Sequence, residues 1–321
     1  MFKKSLLSLA AVAAMSVAAT SAHAVVFDFD GAGGSAVTRD VISLDWLPDN
    51  ALSIGALSTP PNQDGTRVLQ TVAQGTLGIF GTTTGNRSAL FEDRGIEYTF
   101  QTSFFETATG IGTNSASFVL APGANYFRVY ADFSGNSNQV TGTGYGDGTL
   151  ILEGVIDSLT GTFTDATRQS GAPIIGLDQF ANGTNGDVDG GVTTHTGNGS
   201  NTVNVDITFL DPNFFLGNVA SLVLNLNYSD TTNLAAPFIT AQPSDSVVGI
   251  TPSYSSVDGA AVNGANCTVG GITEAGARTR NCDFHFQSDA SGSFRVAEPG
   301  SLALIGLALG AAGIATRRKK A

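Results

Sequence analysis

Apolar side chains at every second position, interrupted at short intervals by Gly, Asn, Asp and Pro, restrict what this 321-residue chain can fold into. Ile96, Tyr98 and Phe100 share one face of an extended segment, as do Val203, Val205, Ile207 and Phe209, and then Leu222, Leu224, Leu226 and Tyr228. A period of two is the signature of a strand with one face buried. Similar segments are predicted at 25–30, 41–46, 67–80, 115–120, 125–133, 149–156, 281–287 and 291–296. Between 25 and 296 no window keeps a helical period with good helix formers, and 213–222 holds a short helix at most. Turns are expected at Gly31–Gly34, Leu47–Asn50 and Ala121–Ala124, and 175–200 reads as a long polar excursion. Many short strands without crossover helices predict an all-β fold, an antiparallel, β-sandwich-like domain over 25–296.

The two ends obey a different rule. Lys3 and Lys4 precede an apolar stretch from Leu6 to Ala19, and Ala22-His23-Ala24 follows. This is the pattern of a secretory signal peptide over 1–24, with the cut between Ala24 and Val25. At the other end Ala297-Glu298-Pro299-Gly300 leads into an uncharged run from Leu302 to Ala315, closed by Arg317, Arg318, Lys319 and Lys320. A transmembrane helix over 301–316 would be about 24 Å long, short of the ~30 Å hydrocarbon core. The basic cluster would hold its end on the cytoplasmic side of the membrane. Such a short span suits transient anchoring.

The tail over 297–321 resembles the sorting domain of the PEP-CTERM proteins of Gram-negative bacteria. Their tails carry a Pro-Glu-Pro motif, a hydrophobic helix and an Arg-rich end. Glu298, Pro299 and Gly300 match the motif, whereas Ala297 stands where the family has its first proline. The resemblance implies export across the inner membrane, tail processing by an exosortase, and a place at the cell surface or in the extracellular matrix. It also implies a link to exopolysaccharide production, biofilm and floc formation. Within the body, Asp45–Leu52, Tyr126–Tyr130, Thr141–Leu152 and Asp211–Phe215 resemble segments of the flocculation-associated members. No set of catalytic residues comes with that likeness.

Charge narrows the partners. Six of the 15 basic residues sit in the two ends, so the body keeps nine arginines and no lysine against 26 acidic residues, a formal charge of −17. A body this acidic does not attract nucleic acid by long-range electrostatics. Cys267 and Cys282 are the only cysteines, and in an exported chain an even pair across 14 residues predicts a disulfide. The loop it closes would contribute roughly 3 kcal/mol. Two free thiols are the alternative.

Chemistry is sparse in the body. His195 and His285 lack paired histidines or metal-ligand spacing, and neither a Gly-x-Ser-x-Gly elbow nor a P-loop occurs. Calcium is the one small ligand the sequence suggests. Asn182–Gly190 places Asp187 and Asp189 among other oxygen donors, and Asp28 and Asp30 beside Gly31 form a second candidate. Asx-turns on an acidic surface are the plainer account of both sets. Trp46, Tyr126 and Tyr130 could stack on sugar rings or pack a core. The expectation is a non-enzymatic surface or matrix protein promoting exopolysaccharide-associated cohesion. The alternatives are a secreted enzyme on exopolysaccharide, such as a glycoside hydrolase with a carboxylate pair, or an inert structural envelope protein.

Overall fold

The computed structural model describes residues 24–34, 38–54, 66–89, 95–110, 115–139, 142–165, 197–216, 222–231 and 284–296. Among the described residues thirteen strands lie in one hydrogen-bonded sheet. They are β1 (Val25–Asp28), β2 (Thr38–Trp46), β3 (Asp49–Ile54), β4 (Thr66–Thr82), β5 (Gly85–Ser88), β6 (Glu97–Thr109) and β7 (Ser115–Leu120). The rest are β8 (Tyr126–Asp132), β9 (Thr149–Asp165), β10 (Gly197–Leu210), β11 (Phe215–Leu216), β12 (Leu222–Thr231) and β13 (Phe284–Val296). The all-β, antiparallel expectation is met.

The pairings run in a circle. β2 and β3 lie end to end against β4, and both also pair with β13. β7 and β8 likewise lie end to end between β6 and β9. Continuing through β10 and β12 back to β13 gives eight walls in sequence order, each antiparallel to the next. The sheet therefore closes on itself around one interior. Val203, Val205, Leu222, Leu224 and Leu226 point inward, with Thr202, Asn204, Asp206, Val223, Asn225 and Asn227 at the alternate positions. Among the described residues no helix is long and apolar enough to cross a membrane.

One end of the interior is sealed by aromatic rings. β1 joins β2, and the two-residue β11 joins β1. Phe27 sits at the centre, with ring centroids 5.3 Å from Phe29, 5.2 Å from Phe80, 5.6 Å from Tyr98 and 5.0 Å from Phe215. The turn after β1 depends on Gly31 at φ 61°, where an added Cβ would lie 2.4 Å from the Phe214 ring. Gly31→Ala should cost at least about 1–2 kcal/mol from the left-handed backbone alone. A thermal melt of that variant checks it, with a lowered midpoint expected.

The other end is where β3 leads to β4, β6 to β7, β9 to β10 and β12 to β13. All eight strand ends at those four connections lie on one rim.

Several sequence expectations are corrected. Leu47-Pro48 interrupts a wall and does not reverse the chain. Proline has no N–H for the ladder, and Leu47 N–H donates to Thr76 O at 2.8 Å. Asp49 and Asn50 already belong to β3. The two predicted late strands are one, because Ser288-Asp289-Ala290 stays in register with β12. No helix forms at the start of 213–222: Pro212–Phe214 turn and Phe215 enters β11. Gly197–Ser200, placed in the polar excursion, opens β10.

Candidate functional site

The predicted sugar-stacking residues separate into two environments. Trp46 is 2 % exposed and packs edge-on at 4.9 Å from Phe100, so it is a core residue closed to any ligand. Its indole Nε1–H has no hydrogen-bond partner. Tyr126 and Tyr130 lie on the outer face of β8, half-buried, with Arg128 between them. Phe127 and Val129 take the alternate, inward positions.

This outer trio is held rigidly. The Arg128 guanidinium lies over the Tyr126 ring at 4.2 Å, and Arg128 Nε donates to Glu153 Oε1 of β9 at 2.8 Å. Exposed pairs of this kind contribute little stability, so their effect is to orient the side chains. Val155, half exposed, pairs with Tyr126 across the strands. Burial pushes the Tyr126 hydroxyl up to about 12, and burial also raises Tyr130, with Arg128 opposing both shifts. Both phenols therefore stay protonated at ordinary pH and offer O–H donors beside an aromatic face.

A second constellation lies inside the barrel and was not legible in the sequence. Glu106 on β6 and Asp230 on β12 point inward from opposite walls, 4 % and 5 % exposed. Thr71 Oγ1 donates to Glu106 Oε1 at 2.7 Å, and Ser53 and Thr71 share a 2.9 Å hydrogen bond. Asp230 accepts from Ser288 Oγ at 2.7 Å and from Asn201 Nδ2 at 2.6 Å. Burial pushes Glu106 up to about 7, with the Asp230 charge adding to it, and burial pushes Asp230 up to about 6. Both carboxyls are enclosed in the core, where burial favours their protonated form. Their strands alternate in the usual way, and only the ring closure brings β6 opposite β12.

The stretch 142–148 contributes a cover on the outside of β6. Thr99 Oγ1 donates to Tyr145 O at 2.8 Å, and the buried Tyr145 hydroxyl donates to Asp49. Burial and the Asp49 charge raise that hydroxyl far above its usual range.

Asp28 and Asp30 are engaged as turn caps. Asp28 accepts the backbone N–H groups of Asp30 and Gly34, and Asp30 that of Ala32. Among the described residues no three His, Cys, Asp or Glu side chains gather around one point. The other predicted positions lie outside the described residues: Asp187 and Asp189, His195, Cys267 and Cys282, the signal segment before Ala24, and the tail with Glu298, Pro299, Gly300 and Arg317–Lys320. Val25, the expected mature terminus, is buried at the start of β1. The chain matches no family model, no curated protein and no solved structure.

Proposed function

We propose that the chain is an exported, non-enzymatic protein of the cell surface or extracellular matrix, built on one antiparallel β domain, that strengthens cohesion between cells and exopolysaccharide. The observation that carries the reading is the outer Tyr126–Arg128–Tyr130 strip, fixed by Glu153. Aromatic faces with hydroxyl and guanidinium donors beside them are suited to pyranose rings, whose C–H edges meet the ring and whose hydroxyls meet the donors. The tail and leader support export, with the exosortase and secretion machinery as partners and the inner membrane as a transient contact. A lysine-free, acidic body supports a setting rich in polymer and cations and poor in nucleic acid. Calcium held by Asp187 and Asp189 would be a further bridge between chains.

The test is co-sedimentation of the secreted protein with the producing cells' polymer, with and without a calcium chelator. Each tyrosine ring should contribute about 0.5–1.5 kcal/mol. Tyr126→Ala with Tyr130→Ala should therefore weaken retention about tenfold. Retention unchanged in that double variant would remove the strip from the mechanism. A secreted protein that sediments with neither polymer nor cells would end the proposal. Intact mass of the mature protein reads both cuts and the Cys267–Cys282 pairing together.

A further inference from the structure

Both ends of the described body leave it from one place. Val41 pairs with Val25 on one flank and Thr82 on the other, and Ser43 pairs with Ser293 and Gly81 in the same way. β1 therefore begins on the flank of β2 from which β13 departs, beside the aromatic seal. From Ser293 the last strand continues on β12 to Val296, whose partner is Leu222. The long connections are all at the opposite end. Segments 55–65, 111–114, 166–196 and 232–283 each begin and end on the rim. Asp187, Asp189, His195, Cys267 and Cys282 belong to the two longest of them.

Lengths then limit how such a body can be held. Only residues 297–300 separate Val296 from the expected membrane helix over 301–316. Fully extended, they span at most about 14 Å. β13 runs about 40 Å from Phe284 on the rim to Val296, and a strand tilt of about 45° still leaves roughly 28 Å of height. A tether that short cannot bring the rim down to the bilayer with the seal pointing away. Lying flat is opposed by charge, because the body carries a formal −17. Eight walls make a ring roughly 15 Å across at the backbone, narrower than the walls are long. Standing on the narrow end keeps most of that charge away from anionic headgroups.

We infer that the aromatic-sealed end of the barrel is the face that meets the lipid surface while the tail is uncut, and that the rim with its four connections is the face offered to the surroundings. The inference rests on the reading of 301–316 as a membrane anchor and adds a direction to it. It also confines the tail-processing enzyme. Phe294 is 1 % exposed and Arg295 still pairs with Val223, so the enzyme must work in the short gap between a folded end and the bilayer.

Energy transfer to acceptor-labelled lipid headgroups, in vesicles holding the chain from Val25 to Ala321, tests this. The donor is attached through an azidophenylalanine at Phe133, near the seal, or at Ser115, on the rim, both of them exposed. The two sites lie about 50 Å apart along β9, whose Thr149 pairs with Ala131 and whose Thr164 pairs with Ser115. Transfer severalfold stronger from position 133 than from 115 is expected. A twenty-residue Gly/Ser insert after Val296, with a root-mean-square span of about 25 Å, should shrink that difference. Equal transfer from the two positions without the insert overturns the inference in favour of a body lying on its wall. Stronger transfer from 115 overturns it in favour of the inverted body. A difference that the insert leaves unchanged overturns the argument from tether length. Chain that fails to float with the vesicles ends the anchor reading, and the direction with it.

Discussion

Replacing Phe27 with alanine is expected to unfold the chain more readily than any other single truncation of its core. The ring lies within contact of Phe29, Phe80, Tyr98, Phe214 and Phe215, and is 2 % exposed. Large-to-small changes of this type cost about 3–5 kcal/mol, the upper part of the range when surrounding groups cannot collapse into the void. Here they cannot, because β1 is tied on one side to β2 and on the other to β11. Urea titration should show a lower midpoint with an unchanged slope. Trp46→Phe makes the contrast: it gives up volume but also removes a buried indole N–H with no partner, so its cost should be much smaller.

Stability should fall as pH rises from about 4 to about 8. Glu106 and Asp230 both hold their protons more tightly folded than unfolded. Their contribution is complete below the ordinary carboxylate range and is lost as pH passes about 6 and then about 7. For Glu106 alone, a displacement from 4.5 to about 7 corresponds to about 3 kcal/mol. The two groups interact, so their effects do not add. Glu106→Gln keeps the shape and the bond from Thr71 while removing the ionisation. Its urea midpoint should fall less with pH across this window than that of the wild type, Asp230 still titrating, and should exceed that of the wild type at pH 8. A wild-type midpoint that rises between pH 5 and pH 8 would show the carboxylate to be stabilised by a compensating positive charge.

What the sequence disclosed is bounded by the range over which a residue pattern acts. Alternation at 96–104, 201–210 and 222–228 identified strands because the inward face is apolar at every second place, a local property. Pro48 marked an interruption correctly, yet not whether the chain turned back or continued, since that depends on which neighbour accepts Leu47 N–H. Tyr126, Arg128 and Tyr130 share a parity that a strand turns into a common face, and the structure has all three on the outside of β8. Trp46 carried no such information, because a lone aromatic is equally at home in a core or on a surface. Glu106 and Asp230 are 124 positions apart and look like ordinary strand acids.

Closure also decides how such a chain behaves when crowded. A strand with an unsatisfied side is a template on which another chain can grow. Here every long strand is flanked by partners, and the free borders among the described residues belong to segments as short as the four residues of β5 and the two of β11. Copies pressed together would meet through side chains and not through backbone, remaining separate folded units even at high local density.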